Sequence, residues 1–291
     1  MSTSERFDTL VDADTLRVNL GRADWRVVDC RHDLSQPQAG PQAYARGHIA
    51  GAVFAHMDRD LSGAKTPGSG RHPLPEPDRL VECFRRWGIE RHTQIVAYDA
   101  NAGSLAARLW WLARWLGHQN VALLDGGWQA ALDVGLTLET AEPRIAPSRF
   151  ERGPSLAPAV DVDAVQAARA AAGSLIIDAR APDRYGGHNE TIDPVAGHIP
   201  GAVNRFWQAN VGPDGRFKPA DQLRSEFTKL LGAHAVANVI SQCGSGITAC
   251  HNLVAMQRAG LAGAALYPGS WSQWIADPAR PVAVGSEPGG A

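Results

Sequence analysis

The chain has 291 residues, of which 44% are apolar, enough for one large domain or two ordinary ones with a sizeable core. Lys and Arg number 28 against 30 Asp and Glu, a formal charge of −2. This balance excludes the strongly basic or acidic character that would indicate nucleic acid or an anionic membrane surface as a partner.

The cysteines indicate a reducing environment. The chain has 4 cysteines, and none belongs to a Cys-x-x-Cys pair, which argues against zinc. Their spacing suggests no disulfide framework. No apolar run is long enough to span a bilayer, and the first residues do not resemble a signal peptide. We therefore expect a cytoplasmic protein.

In chain order, short apolar strands alternate with helical stretches. The first half contains the apolar run 95–98, followed by residues 104–116, whose leucines have helical spacing and stop at Gly117. Residues 62–73, which precede both segments, form a long flexible loop with Lys65, Arg71 and His72. This alternation predicts an α/β fold in which a mostly parallel sheet has helices on both faces.

A proline-rich stretch without periodicity, residues 142–158, predicts an inter-domain linker. It separates two domains, at 1–141 and 159–291. The second half begins with an alanine-rich helix over 162–172, and a β-branched run at 237–240 predicts a buried strand. The residues after Pro281 are rich in Gly and Pro and are expected to be loose.

Four blocks of the first half recur in the second half in the same order. The separation between paired blocks is also nearly constant. The shared order and separation predict two copies of one domain. The paired blocks are 27–31 with 176–180, 47–53 with 197–203, 95–99 with 239–243, and 124–128 with 267–271. The residues shared by both copies, Asp29 and Asp178 among them, are predicted to build the fold.

Cys243 is the candidate nucleophile. It follows the strand at 237–240 on a loop with Gly244 and Gly246, and a helix that ends at Gly260 comes after it. Ligand sites in open α/β sheets lie at this end of the strands. Loop amides and the helix dipole can stabilise an anion there, so we expect an accessible thiolate at the mouth of the second domain. The alternative is a buried, inert cysteine.

The sequence Cys243-Gly-Ser-Gly-Ile-Thr-Ala249 resembles the active-site loop of two-domain rhodanese-type sulfurtransferases, in particular the 3-mercaptopyruvate sulfurtransferase branch. The resemblance covers essentially the whole chain and implies tandem rhodanese-like domains. It also implies a small-molecule sulfur donor, a Cys243 persulfide as the covalent intermediate with no other cofactor and no metal, and a thiol acceptor such as thioredoxin, or cyanide.

The two copies differ where the chemistry is expected. The first copy has Asp99 at the cysteine position, so that copy is predicted to be catalytically silent. In the resembled family the active cleft lies between the domains, and the silent domain contributes residues to it. The loop residues from Gly244 through Gly246 and Ile247 to Thr248 are expected to offer their N–H groups to the sulfur.

The resemblance implies further site residues. In the 3-mercaptopyruvate branch a serine, an aspartate and a histidine form a proton relay, and by position these are Ser245, Asp58 and His72. From the sequence alone, Asp58 and His72 are better interpreted as solvated loop residues, and only the resemblance favours a function for them. The loop 243–250 contains no cation, which argues for a donor less charged than thiosulfate.

Arg184 matches the first carboxylate-binding arginine of the resembled family; an exposed loop arginine is the alternative. The second arginine of that family is missing from the stretch 187–193. We hypothesise that His188, within that stretch, partly substitutes for it. Comparing substrate saturation of the wild type and His188→Ala across pH tests this.

Three alternative functions can be compared with the sequence. Thiosulfate:cyanide sulfurtransfer would use the same Cys243. A non-enzymatic persulfide carrier or binding module would form the persulfide but turn over poorly. A related dual-specificity phosphatase needs Cys-x5-Arg, and the residue six positions after Cys243 is Ala249, which argues against that chemistry.

Overall fold

A computed structural model describes residues 6–289. The chain divides into two compact units whose boundaries are not contiguous in sequence. Among the described residues, the first unit comprises 6–62, 75–156 and 213–217, and the second comprises 63–74, 157–212 and 218–289. The predicted linker therefore falls mostly within the first unit. The loop that carries His72 belongs to the second unit.

The first unit contains a five-stranded parallel sheet in the order β1-β6-β5-β2-β4 within its described residues. A small antiparallel pair, β3 with β7, lies outside this sheet. The strands are β1 (Leu10–Val11), β2 (Trp25–Asp29), β3 (His48–Ile49), β4 (Val53–Phe54), β5 (Gln94–Tyr98), β6 (Val121–Leu124) and β7 (Leu138–Glu139). Every residue of β5 and β6 is buried, as expected for central strands with both faces covered.

The helices of the first unit include α4, whose residues 106–113 are all buried. Its predicted span of 104–116 is confirmed to within two residues at each end. The helices are α1 (Ala13–Asn19), α2 (Ala39–Arg46), α3 (Pro77–Arg86), α4 (Ala106–Trp115) and α5 (Gly127–Asp133). Asp12 caps α1 by accepting a hydrogen bond from the Thr15 N–H at 2.6 Å.

The second unit contains a four-stranded parallel sheet in the order β11-β10-β8-β9 within its described residues. The strands are β8 (Leu175–Asp178), β9 (Ala202–Asn204), β10 (Val239–Gln242) and β11 (Ala265–Leu266). The predicted strand at 237–240 starts later than expected, because Val236–Asn238 forms a turn of 3₁₀ helix before β10. The shift leaves the end of β10 directly before Cys243.

The second unit has the helices α6 (Val162–Ala170), α7 (Pro182–Tyr185), α8 (Ala220–Leu231), α9 (Ala249–Arg258) and α10 (Ser270–Trp274). Asp161 caps α6 through the Ala164 N–H at 2.9 Å. Among the helices of residues 6–289, none is both long and apolar enough to cross a bilayer.

The Asp–Arg pair shared by the two copies makes the same contacts in both. Arg31 donates to the buried Asp29 carboxylate and, at 2.7 Å, to the carbonyl of Gly47. Arg180 does the same with Asp178 and, at 2.8 Å, with the carbonyl of Gly197. Both pairs tie the end of a strand to the glycine that begins the recurring Gly-His-Ile block. These contacts agree with the structural role predicted for the shared residues.

Candidate active site

Cys243 lies at the carboxyl end of β10, where the chain leaves the sheet and turns towards α9. Its main chain is fixed on both sides: the Cys243 N–H donates to the Ser270 hydroxyl at 3.1 Å, and its carbonyl accepts from the Trp271 N–H at 3.0 Å. The residue is only 2% exposed, which is less than we expected for an accessible nucleophile. Its low exposure follows from the side chains and loops packed around it, described below.

One of the predicted loop amides points at the sulfur. The Gly246 N–H donates to Cys243 Sγ at 3.1 Å. Gly246 is in the left-handed region with φ +79°, and a Cβ there would clash with the carbonyl oxygen of Pro268, so only glycine fits. Cys250 donates its thiol to the Gly246 carbonyl at 3.4 Å, from the first turn of α9. The loop thus presents a main-chain donor to an anionic sulfur.

The remaining predicted loop residues connect β10 to α9. Gly244 accepts a hydrogen bond from the Ser272 N–H at 3.0 Å through its carbonyl. Ile247 is buried and accepts a hydrogen bond from the Cys250 N–H at 3.1 Å, and Thr248 is the residue before α9.

Two other cysteines belong to the first unit. Burial raises the pKa of the Cys30 and Cys83 thiols, as expected for packing cysteines.

Ser245 and His72 form a hydrogen-bonded pair although they are far apart in sequence. Ser245 Oγ lies 2.8 Å from His72 Nδ1, and the two residues are 3% and 6% exposed. The loop 63–74, which carries His72, belongs to the second unit. A serine and a histidine in contact can pass a proton between them.

Two arginines lie over Gly244. A Cβ placed on Gly244 would be 2.9 Å from Nη2 of Arg71, and 3.6 Å and 3.7 Å from Nη2 and Nη1 of Arg184. Arg184 donates to Glu190 at 2.9 Å and to Asp193 at 3.1 Å, and Arg71 forms an ion pair with Asp193. Burial lowers the pKa of Arg71, and the nearby Cys243 sulfur opposes that effect. These side chains contribute to the low exposure of Cys243.

Two further predicted site residues, Asp58 and His188, make contacts within their own units. Asp58 belongs to the first unit, where its carboxylate is 3.9 Å from Nε2 of His32 and its N–H donates to His56 Nδ1 at 3.2 Å. His188 belongs to the second unit but is exposed, with its N–H bonded to the Asp183 carbonyl at 2.9 Å. The second unit therefore brings together Cys243, its loop, Ser245, His72 and Arg184. The roles of Asp58 and His188 stay predictions.

The model of the rhodanese-like domain matches the chain twice, at residues 12–133 and 161–277. The chain belongs to the rhodanese-like family. The two matches also confirm the predicted duplication. A probable 3-mercaptopyruvate sulfurtransferase of Pseudomonas aeruginosa is 45% identical, over 95% of this chain and 98% of the relative. A putative thiosulfate sulfurtransferase of Mycobacterium tuberculosis is 37% identical, over 89% of this chain and 91% of the relative.

Solved structures of the family agree with this assignment. The 3-mercaptopyruvate sulfurtransferase of Escherichia coli superposes with a TM-score of 0.79 at 29% identity, over 91% of this chain and 100% of that one. The enzyme from Leishmania major gives a TM-score of 0.80 at 29% identity, over 91% and 73%. The predicted α/β fold with tandem rhodanese-like domains is confirmed, and the protein is a sulfurtransferase.

Sequence reasoning missed two residues beside Cys243, the predicted nucleophile. Arg71 directly precedes His72, a residue that the resemblance assigned to the site, and this adjacency was the available signal. Ser270 bonds to the Cys243 N–H and aligns with Gly127 in the duplicated blocks, so the signal was a difference between the copies. The absence of cations from the loop 243–250 does not describe the whole site, because Arg71 and Arg184 approach Gly244 from other segments.

Proposed function

We propose that this sulfurtransferase takes its sulfur from 3-mercaptopyruvate and carries it as a Cys243 persulfide. The observation that carries the proposal is the 2.8 Å contact between Ser245 and His72 beside the nucleophile. Breaking the C–S bond of 3-mercaptopyruvate leaves the enolate of pyruvate, which must gain a proton. Thiosulfate releases sulfite and needs no such proton, so a buried serine–histidine pair is useful for the keto acid donor.

The first half-reaction forms one S–S bond and breaks one C–S bond. A lone pair of the Cys243 thiolate attacks the donor sulfur, and the electrons of the C–S bond leave with the carbon as the enolate. The donor's thiol proton, or one held by the Ser245–His72 pair, then converts the enolate to pyruvate. The Gly246 N–H, 3.1 Å from Sγ, stabilises the anionic sulfur before and after transfer.

The second half-reaction returns the enzyme to its starting state. A thiolate acceptor such as thioredoxin, or cyanide, attacks the outer sulfur, the S–S bond breaks, and Cys243 leaves as a thiolate. The sulfur is carried covalently, so the reaction as written uses no cofactor. We place the reaction in the cytoplasm, because all four cysteines are free thiols.

Thiosulfate is the second candidate donor, and the name of the Mycobacterium tuberculosis relative supports it. The experiment is a side-by-side measurement of kcat/KM for 3-mercaptopyruvate and thiosulfate, with cyanide as the acceptor in both. We expect the keto acid to be preferred. A preference for thiosulfate would contradict the proposed donor and leave sulfur transfer itself intact.

Substitution of the nucleophile tests the covalent step. In Cys243→Ser we expect no turnover with either donor and no added sulfur in the mass spectrum of the intact protein, because a hydroxyl cannot form the persulfide. Cys30→Ser and Cys250→Ser are the matched controls, and both are expected to keep most of the activity. Sulfur found on any cysteine other than Cys243 would contradict the assignment.

A further inference from the structure

The guanidinium groups of Arg71 and Arg184 converge on the residue that follows the nucleophile. Arg184 comes from α7, whereas Arg71 comes from the loop 63–74, more than a hundred residues earlier in the chain. The atoms that approach Gly244 most closely are Nη2 of Arg71 and the two terminal nitrogens of Arg184. The absence of a side chain at Gly244 leaves room for these groups beside Cys243.

Two buried carboxylates hold the arginines in place. The side chains of Glu190 and Asp193 are each 2% exposed, while those of Arg71 and Arg184 are 30% and 18% exposed. Asp193 contacts both arginines, so it fixes their separation. Paired but partly solvent-accessible guanidiniums of this kind can meet a ligand without a large rearrangement.

Each of the two arginines also has a terminal N–H group that is available to a ligand. Among the described residues, neither Nη2 of Arg71 nor Nη1 of Arg184 has a hydrogen-bond acceptor, and both nitrogens face the space over Gly244. Guanidinium groups bind carboxylates through two parallel N–H donors, and two such groups side by side suit a single planar carboxylate. The space next to the sulfur is therefore prepared for an anionic end of the donor.

We propose that Arg71 is a specificity-determining residue that binds the donor's carboxylate together with Arg184. The inference rests on the proposed function and deepens it, because it selects α-keto acid thiols over thiols that lack a carboxylate. It also offers a second arginine where the stretch 187–193 contains none. His188, which is exposed, is not required for this arrangement.

The test compares wild type with Arg71→Gln on two donors. 3-Mercaptopyruvate carries the carboxylate, and mercaptoacetone has the same thiol and carbonyl without it. For Arg71→Gln we expect KM for 3-mercaptopyruvate to rise about tenfold or more, since one charge-assisted contact is lost. The ratio of kcat/KM for 3-mercaptopyruvate to kcat/KM for mercaptoacetone should fall about tenfold, because an effect of the lost charge on Cys243 applies to both donors and cancels in the ratio. Arg71→Lys should restore part of the loss, because it keeps the charge without the planar fork.

Binding of pyruvate provides a readout that does not depend on turnover. Calorimetry should show that Arg71→Gln weakens pyruvate binding by a factor similar to the change in KM. Arg91→Gln, an exposed arginine of the first unit, is the matched control and should change neither quantity. If Arg71→Gln is unstable because Asp193 loses a partner, the double variant Arg71→Gln/Asp193→Asn removes the residual charge and is measured instead.

The outcomes separate the two claims. If wild type turns over 3-mercaptopyruvate and Arg71→Gln changes neither KM nor pyruvate affinity, the role of Arg71 is wrong and the proposed function stands. If wild type does not turn over 3-mercaptopyruvate, the proposed donor is wrong. In that case equal pyruvate affinity in wild type and Arg71→Gln would also overturn the inference, and weaker affinity in the variant would support it.

Discussion

Ser270 adopts a left-handed backbone conformation, with φ +53°, although it is not glycine. Its side chain is buried, accepts the Cys243 N–H at 3.1 Å and donates to the Tyr267 carbonyl at 2.9 Å. The aligned residue of the first copy, Gly127, has φ +55°, and a Cβ there would clash with the carbonyl oxygen of Asp99. The second copy thus keeps a hydroxyl at a position that favours glycine, and such strain is typical of functional sites.

Two substitutions separate the hydroxyl of Ser270 from its backbone strain. Ser270→Ala removes the hydroxyl and keeps the strained Cβ, whereas Ser270→Gly removes both. We expect kcat to fall about tenfold in both variants, because Cys243 loses the same hydrogen bond. In urea unfolding Ser270→Gly should be more stable than Ser270→Ala by about 1 kcal/mol. A purely structural serine predicts instead that activity follows stability, with the glycine variant the more active.

The strand–loop–helix element recurs in both copies, and its loop amides donate to a different side-chain acceptor in each. In the first copy the Asp99 carboxylate accepts hydrogen bonds from four backbone amides, those of Asn101, Gly103, Leu105 and Ala106, at 2.7–2.9 Å. Burial raises the pKa of Asp99, and these four bonds oppose that effect. In the second copy the acceptor is Cys243 Sγ. In the first copy, the Asp99 side chain thus accepts the hydrogen bonds that the loop amides donate.

The turn inside this loop is left-handed in both copies, at Ala102 with φ +53° and at Gly246 with φ +79°. Ala102 shows that the fold tolerates a methyl group at this φ. Gly246 differs because a Cβ would meet the Pro268 carbonyl. For Gly246→Ala we therefore expect loss of activity, since the Gly246 N–H must move away from Sγ, and a destabilisation of about 3 kcal/mol in chemical unfolding.

Gly135→Ala is the matched control for that substitution. Gly135 has φ +66° with nothing within 4 Å of an added Cβ, so only the conformational cost of about 1 kcal/mol is expected there. Equal losses of stability in the two variants would show that the contact with Pro268 is unimportant. Retained activity in Gly246→Ala would contradict the assigned role of the Gly246 amide.

At the scale of the secondary-structure elements, the sequence predicted the strand, loop and helix around Cys243. It did not predict some of the contacts between residues far apart in the chain. A β-branched run, a glycine-bearing loop and an apolar helical stretch have local signatures, so the position of Cys243 after a strand was predictable. The pairing of Arg71 with Asp193 joins residues 122 positions apart and leaves no periodic pattern. The value of φ at Ser270 likewise depends on tertiary contacts rather than on its own residue type.

At the scale of the whole molecule, the sequence predicted the duplication. It did not predict that each unit includes a short segment from the other half of the chain. Four recurring blocks predicted two copies, and the family matches at 12–133 and 161–277 confirm them. The compact units, however, assign 63–74 to the second unit and 213–217 to the first. A boundary drawn along the sequence cannot represent this, because each exchanged segment packs with residues far away in the chain. His72 reaches Ser245 through one of these segments.

A buried histidine of the first unit should make the folded chain less stable in acid. His118 is 2% exposed, with Nε2 2.9 Å from the Thr93 carbonyl, and burial lowers its pKa to about 4 from 6.5. The unfolded chain therefore binds the proton more readily. This contribution is fully present above about pH 6.5 and is lost as the pH falls towards 4, amounting to about 2 kcal/mol by pH 5.

Urea unfolding at pH 7 and pH 5 measures this loss. For His118→Gln we expect the difference in unfolding free energy between the two pH values to shrink by about 2 kcal/mol relative to wild type, because the titrating group is gone. His92→Gln removes an exposed histidine of the same unit whose charge is the last of the causes that lower the pKa of His118, and it should keep most of the difference. An equal pH dependence in wild type and His118→Gln would show that His118 is protonated with little cost in the folded state, against the effect expected from its burial.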